Sequence, residues 1–95
     1  MEEKIMTRHP DPGKSGVNIS RQKYDAIRAA TLDAIGARGE ITFKDLTQNV
    51  RTGLADRFDG SISWYVTTVK LDLEARGLIE RVPKSRPQRL RLVER

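Results

Sequence analysis

Apolar residues recur at three- and four-residue spacing in three stretches of the chain, which is the signature of helices with one buried face. In the first, Tyr24, Ile27, Ala34 and Ile35 line up with Thr31, predicting a helix over about 21–36 with Ser20 as its N-cap and Gly36 and Gly39 as its stop. In the second, Phe43, Leu46, Val50 and Leu54 share a face, and Thr42 with Asp45 makes an acidic variant of the capping box. In the third, Ile62, Val66, Val69 and Leu73 form the buried stripe of a helix capped by Ser61 and running to about Arg76. Asp59-Gly60 marks the turn before it, and Gly77 supplies the left-handed residue that ends it.

The pattern then changes period. Leu78 to Val82 reads as a strand, Pro83-Lys84-Ser85-Arg86-Pro87 as a proline-bounded loop, and Gln88 to Val93 as a second strand. Alternation puts Leu90 and Leu92 on one face of that strand and Arg89 and Arg91 on the other. Glu40-Ile41-Thr42 is long enough for a single bridge only. Residues 1–19 carry Pro10, Pro12, Gly13 and Gly16 and little apolar material, so they read as a flexible N-terminal arm ahead of one domain over 20–95. The expected class is α+β, mainly α: three helices and a small antiparallel sheet with a C-terminal hairpin.

Charge sharpens the picture once it is located. The 95 residues carry a net +5, and residues 81–95 hold six basic side chains against one acid, so the first eighty balance. Such asymmetry suits a polyanionic partner; a solvated tail kept for solubility is the plain alternative. The absence of cysteine excludes disulfides, thiolate nucleophiles and cysteine-ligated zinc. The first residues lack the apolar stretch of a secretory leader and no run reaches spanning length, so a cytoplasmic location without membrane contact is expected.

The element order, together with Val66-x-x-Val69-x-x-x-Leu73-Glu74-Ala75-Arg76-Gly77-Leu78-Ile79-Glu80-Arg81, resembles the winged helix-turn-helix superfamily. The similarity is strongest to multiple-antibiotic-resistance-type regulators and to the small winged domains of restriction endonucleases; a small bacterial winged-helix family without assigned function is a further candidate. The resemblance covers about residues 20–93, and Leu73 to Arg81 is its most specific part. It implies a recognition helix running directly into a hairpin wing. The chain departs from the regulators in having no long terminal dimerisation helices. The superfamily also includes protein-interaction modules, so the fold alone does not choose the ligand.

On this reading the third helix and the wing are the candidate interface with double-stranded DNA. Ser61, Ser63, Trp64, Thr67, Thr68 and Lys70 project from the helix away from its apolar stripe, and short hydroxyl side chains there suit phosphates and base edges. Lys84 and Arg86 in the loop, with Arg89 and Arg91 on the strand, suit a phosphate backbone or a minor groove. The same cations could instead discourage strand-to-strand aggregation. Trp64 could equally pack under the second helix, or with Leu71 anchor a homodimer or another protein, and structured RNA is a third possible ligand of the wing. A transcriptional regulator is the leading expectation and an interaction module the alternative. Gly13-Lys14-Ser15 is not a phosphate loop, because Arg8 stands where the motif needs glycine and no strand is expected before it. With one histidine, His9, and no cluster at metal-ligand spacing, neither an enzyme, a metal nor a cofactor is expected.

Overall fold

The computed structural model describes residues 2–94. Its elements are β1 (Lys4–Met6), β2 (Asn18–Ser20), α1 (Arg21–Arg38), β3 (Glu40–Thr42), α2 (Phe43–Leu54), a single 3-10 turn (Ala55–Arg57), α3 (Ile62–Ala75), β4 (Ile79–Arg81) and β5 (Arg89–Leu92). The three helices and the C-terminal hairpin are those expected. The caps are too: Ser20 Oγ accepts from Lys23 N–H, Thr42 Oγ1 from Asp45 N–H, and Ser61 Oγ from Trp64 N–H. At the other end of α3, Gly77 adopts φ 76°. Its N–H bonds to Glu74 C=O while Leu78 N–H bonds to Leu73 C=O, so the chain turns directly from helix into β4.

The core joins the faces foreseen from spacing. Ile27 and Ile35 from α1, Leu46 and Val50 from α2, and Val66, Val69 and Leu73 from α3 meet Ile41, Ile79 and Leu90 from the sheet, all buried. Sheet order is β3-β5-β4, antiparallel throughout. Glu40–Thr42 makes a ladder of three residue pairs with β5, where a single bridge was expected. Helix α1 runs two residues past Gly36 and stops at Gly39, whose φ is 80°.

Leu92 shares the face of Leu90, as expected, and remains 39% exposed. One further expectation is corrected. The segment read as a flexible arm forms a hairpin: β1 pairs with β2 in register Lys4 with Ser20, Ile5 with Ile19, and Met6 with Asn18. Thr7 is buried, bonded through its N–H and hydroxyl to Val17 C=O, and accepts from Val17 N–H. Gly16 lets the two limbs approach, since a Cβ there would lie 2.0 Å from Thr7 O.

Candidate nucleic-acid interface

The N-terminal half of α3 is the open part of that helix. Ser61, Ser63, Trp64 and Thr67 are exposed, and no carboxylate occurs in α3 before Asp72. Arg51 from α2 reaches across to donate from Nη2 to Ser63 Oγ at 2.8 Å, while Thr67 Oγ1 donates back to Ser63 C=O at 2.9 Å. Arg51 therefore belongs to this surface, though its position on α2 gave no sign of it. Only packing α2 against α3 brings a cation beside the serine.

Trp64 keeps 47% of its surface exposed, so it is not buried under the second helix. Its ring stands edge-to-face to Tyr65 at 4.9 Å, and Tyr65 in turn meets Phe58 at 5.1 Å. The three rings make a supported aromatic ledge. Beside it the N-terminal hairpin's loop closes a cleft of about 200 Å³ against Trp64, Thr68 and Leu71. The loop side consists of Thr7, Arg8, His9, Ser15, Gly16 and Val17, so among the described residues the cleft has no carboxylate in its lining.

Lys70 was expected on the open face, and the structure corrects this. It is 8% exposed, its ammonium 3.1 Å from Glu74 Oε2 and 5.9 Å from the Phe43 ring centre. Glu74 also accepts from Arg81 Nε at 2.7 Å, so one carboxylate is shared by Lys70 and Arg81 and joins α3 to β4. The apolar stem of Lys70 lies in the packed half of the helix and its charge is already satisfied.

The cations of the β4–β5 hairpin divide in two. Arg91 stands opposite both Glu40 and Glu80 in the sheet and donates from Nε to Glu80 Oε2 at 2.6 Å. Arg89 Nη1 lies 3.8 Å from Glu40 Oε1. These two arginines share the sheet's outer face as expected, but with two glutamates from earlier in the chain. Lys84 and Arg86, by contrast, are exposed in the loop and make no ion pair among the described residues. Lys84 adopts φ 62° at the turn, and Ser85 fixes the loop by donating to Val82 C=O and accepting from Arg89 N–H.

Behind the open face lies a buried carboxylate that sequence reasoning missed. Asp72 has no exposed surface and accepts from the Tyr24 hydroxyl, from Arg76 Nε at 2.9 Å and from Arg8 main-chain N–H at 2.8 Å. It ties α1, α3 and the N-terminal hairpin together at one atom group. Burial, reinforced by the hydrogen bond to Asp72, pushes the Tyr24 hydroxyl up to about 12, and the bond to Asp72 raises Arg76. The i, i+4 spacing of Asp72 and Arg76 was a visible signal; the other two partners were not.

A larger open groove of about 810 Å³ lies at the opposite end of β5, between Gly36, Gly39 and Leu92. Among the described residues, Glu40, Glu80 and Glu94 line it with Arg91 as their one cation, which disfavours a polyanion. Among the described residues, no group of three or more His, Asp or Glu is arranged to hold a metal, and no helix is long and apolar enough to cross a membrane.

Residues 4–90 match the model of a family of unknown function, DUF6958. The chain belongs to that family. No curated protein and no solved structure matches it. The DUF6958 match takes in the β1–β2 hairpin, all three helices and β4, and ends within β5.

Proposed function

We propose that this DUF6958 protein binds double-stranded DNA as a winged helix-turn-helix, with the N-terminal half of α3 in the major groove and the β4–β5 loop on the backbone. The observation that carries the reading is the open surface of α3 from Ser61 to Thr67, polar, free of carboxylates and flanked by Arg51. Hydroxyl groups there suit base edges and phosphates, and Arg51, Lys84 and Arg86 supply cations for the backbone. Arg89 and Arg91, already paired with glutamates, contribute less. Binding rather than catalysis is the role, and a transcriptional regulator acting on cytoplasmic DNA is its natural form.

The test is fluorescence anisotropy with a labelled duplex of random sequence over a salt series. Three phosphate contacts should make log affinity fall with log salt with a slope of about −2.7, at roughly 0.9 per contact. Replacing Arg51, Lys84 and Arg86 by alanine should flatten it for every sequence alike. Thr67→Ala should instead alter preference among sites, because base contacts specify where phosphate contacts position. A parent protein with no salt-sensitive affinity near physiological ionic strength would overturn the reading. The alternative, a protein-interaction module, is favoured by the exposure of Trp64 (47%) and Val17 (39%) beside Leu71, and would then take its place.

A further inference from the structure

We propose that the cleft between the N-terminal hairpin and α3 takes a single unpaired nucleotide, its base against Trp64 and its phosphate on Arg8. The inference rests on the DNA-binding reading and adds to it a site on the neighbouring flank of the same helix. The cleft's volume of about 200 Å³ is below the roughly 300 Å³ at which pockets for drug-sized ligands begin, so it fits one ring system and not an extended ligand. Its aromatic wall is held from behind by Tyr65, and Leu71 and Val17 give the rest of an apolar slot for a flat base.

The polar side of the slot is suited to an anion. Arg8 is exposed and its side chain makes no ion pair among the described residues. His9 Nδ1 accepts from Asp11 N–H at 3.1 Å, so in the neutral ring the proton sits on Nε2 and is available to donate. No carboxylate in the lining opposes a phosphate. The walls are also set in advance. Thr7 is clamped to Val17, Gly16 permits the close approach, and Arg8 N–H is anchored on buried Asp72. A ligand therefore need not order the loop to bind it. Trp64 belongs both to the exposed part of α3 and to the lining of the slot, so a strand held on that part of the helix borders the slot.

Trp64 is the only tryptophan in the chain, so its emission reports the slot directly. The experiment compares one random-sequence duplex, blunt or carrying a short single-stranded oligothymidine tail, by anisotropy and by Trp64 fluorescence. The tailed duplex should bind about tenfold more tightly, as a base stacked on an aromatic side chain typically contributes, and should quench Trp64 further than the blunt one does. Arg8→Ala should narrow the difference between the two duplexes, leaving the part that stacking on Trp64 supplies. It removes the guanidinium and keeps the main-chain N–H on Asp72, so the hairpin stays docked. Trp64→Phe should retain part of the preference and Trp64→Ala none. Equal affinity and equal quenching for tailed and blunt duplexes would overturn the inference while leaving duplex binding intact. If neither duplex binds, the DNA-binding reading fails and the slot proposal fails with it.

Discussion

Asp72 concentrates more of the molecule's polar energetics than any other side chain described. Its carboxylate is fully buried, and three donors from three parts of the chain satisfy it. Asp72→Ala would strand a guanidinium, a hydroxyl and a main-chain N–H, so a loss of about 3–5 kcal/mol is expected in urea unfolding. Tyr24→Phe removes one donor only and should cost about 1–2 kcal/mol. The tyrosine also sets a pH dependence. Its hydroxyl titrates near 10 in the unfolded chain and near 12 in the fold, so the unfolded state releases the proton first. The associated stability is complete below pH 10 and is lost as pH rises from 10 to 12, by about 2–3 kcal/mol relative to Tyr24→Phe across the same range. A constant difference between the two proteins from pH 9 to 12 would show that neither burial nor the bond to Asp72 raises the hydroxyl. Spacing alone identified the apolar neighbours of this site, Val69 and Leu73, because helical periodicity is local. It could not identify Asp72, whose partners Tyr24 and Arg8 lie 48 and 64 residues away.

The helices were legible because each is long enough to repeat its period. Eighteen, twelve and fourteen residues of helix show their buried faces several times over. Strands of three residues do not: β4 was readable because Gly77 and Pro83 bound it, whereas the prolines and glycines between β1 and β2 looked like the end of order when they are the loop of a hairpin. Ile19 and Ile5 pack that hairpin on the core, and main-chain bonds, Thr7 and the Arg8 N–H on Asp72 complete its docking, which sequence patterning does not register. Gly16 is the position that tests it. A methyl group there meets Thr7 O at 2.0 Å, a contact that backbone must move to relieve. Gly16→Ala should therefore cost about 1–3 kcal/mol and separate the limbs, exposing the Thr7 and Arg8 amides to exchange while amides in α2 and α3 stay protected. Unchanged protection at Thr7 and Arg8 would mean that the close approach is not needed for docking. The same variant should lose any preference for a tailed duplex, since the loop is one wall of the slot.

Over the whole molecule, the charge surplus counted along the chain and the charge presented by the fold are different quantities. Residues 81–95 hold the net excess, yet folding sets Glu74, Glu80 and Glu40 from the balanced part of the chain against Arg81, Arg91 and Arg89. The wing loop keeps Lys84 and Arg86, and α2 lends Arg51. A phosphate contact by Arg91 must compete with Glu80 at 2.6 Å, whereas one by Arg86 has no carboxylate to displace among the described residues. This gives an asymmetric expectation. Glu80→Gln should change stability by no more than about 1 kcal/mol, because the pair is only half-buried. It should nonetheless tighten DNA binding at low salt and steepen the salt dependence by up to about 0.9, by releasing Arg91 for one more phosphate. Arg91→Ala in the parent should leave that slope unchanged, while Arg91→Ala combined with Glu80→Gln should cancel the gain. Should Glu80→Gln leave the slope as it was while Lys84→Ala and Arg86→Ala flatten it, the backbone contact is confined to the tip of the wing. Should Arg91→Ala alone flatten the slope as much as the tip variants do, the glutamate pairing does not hold the arginine back, and the outer face of the sheet is part of the interface.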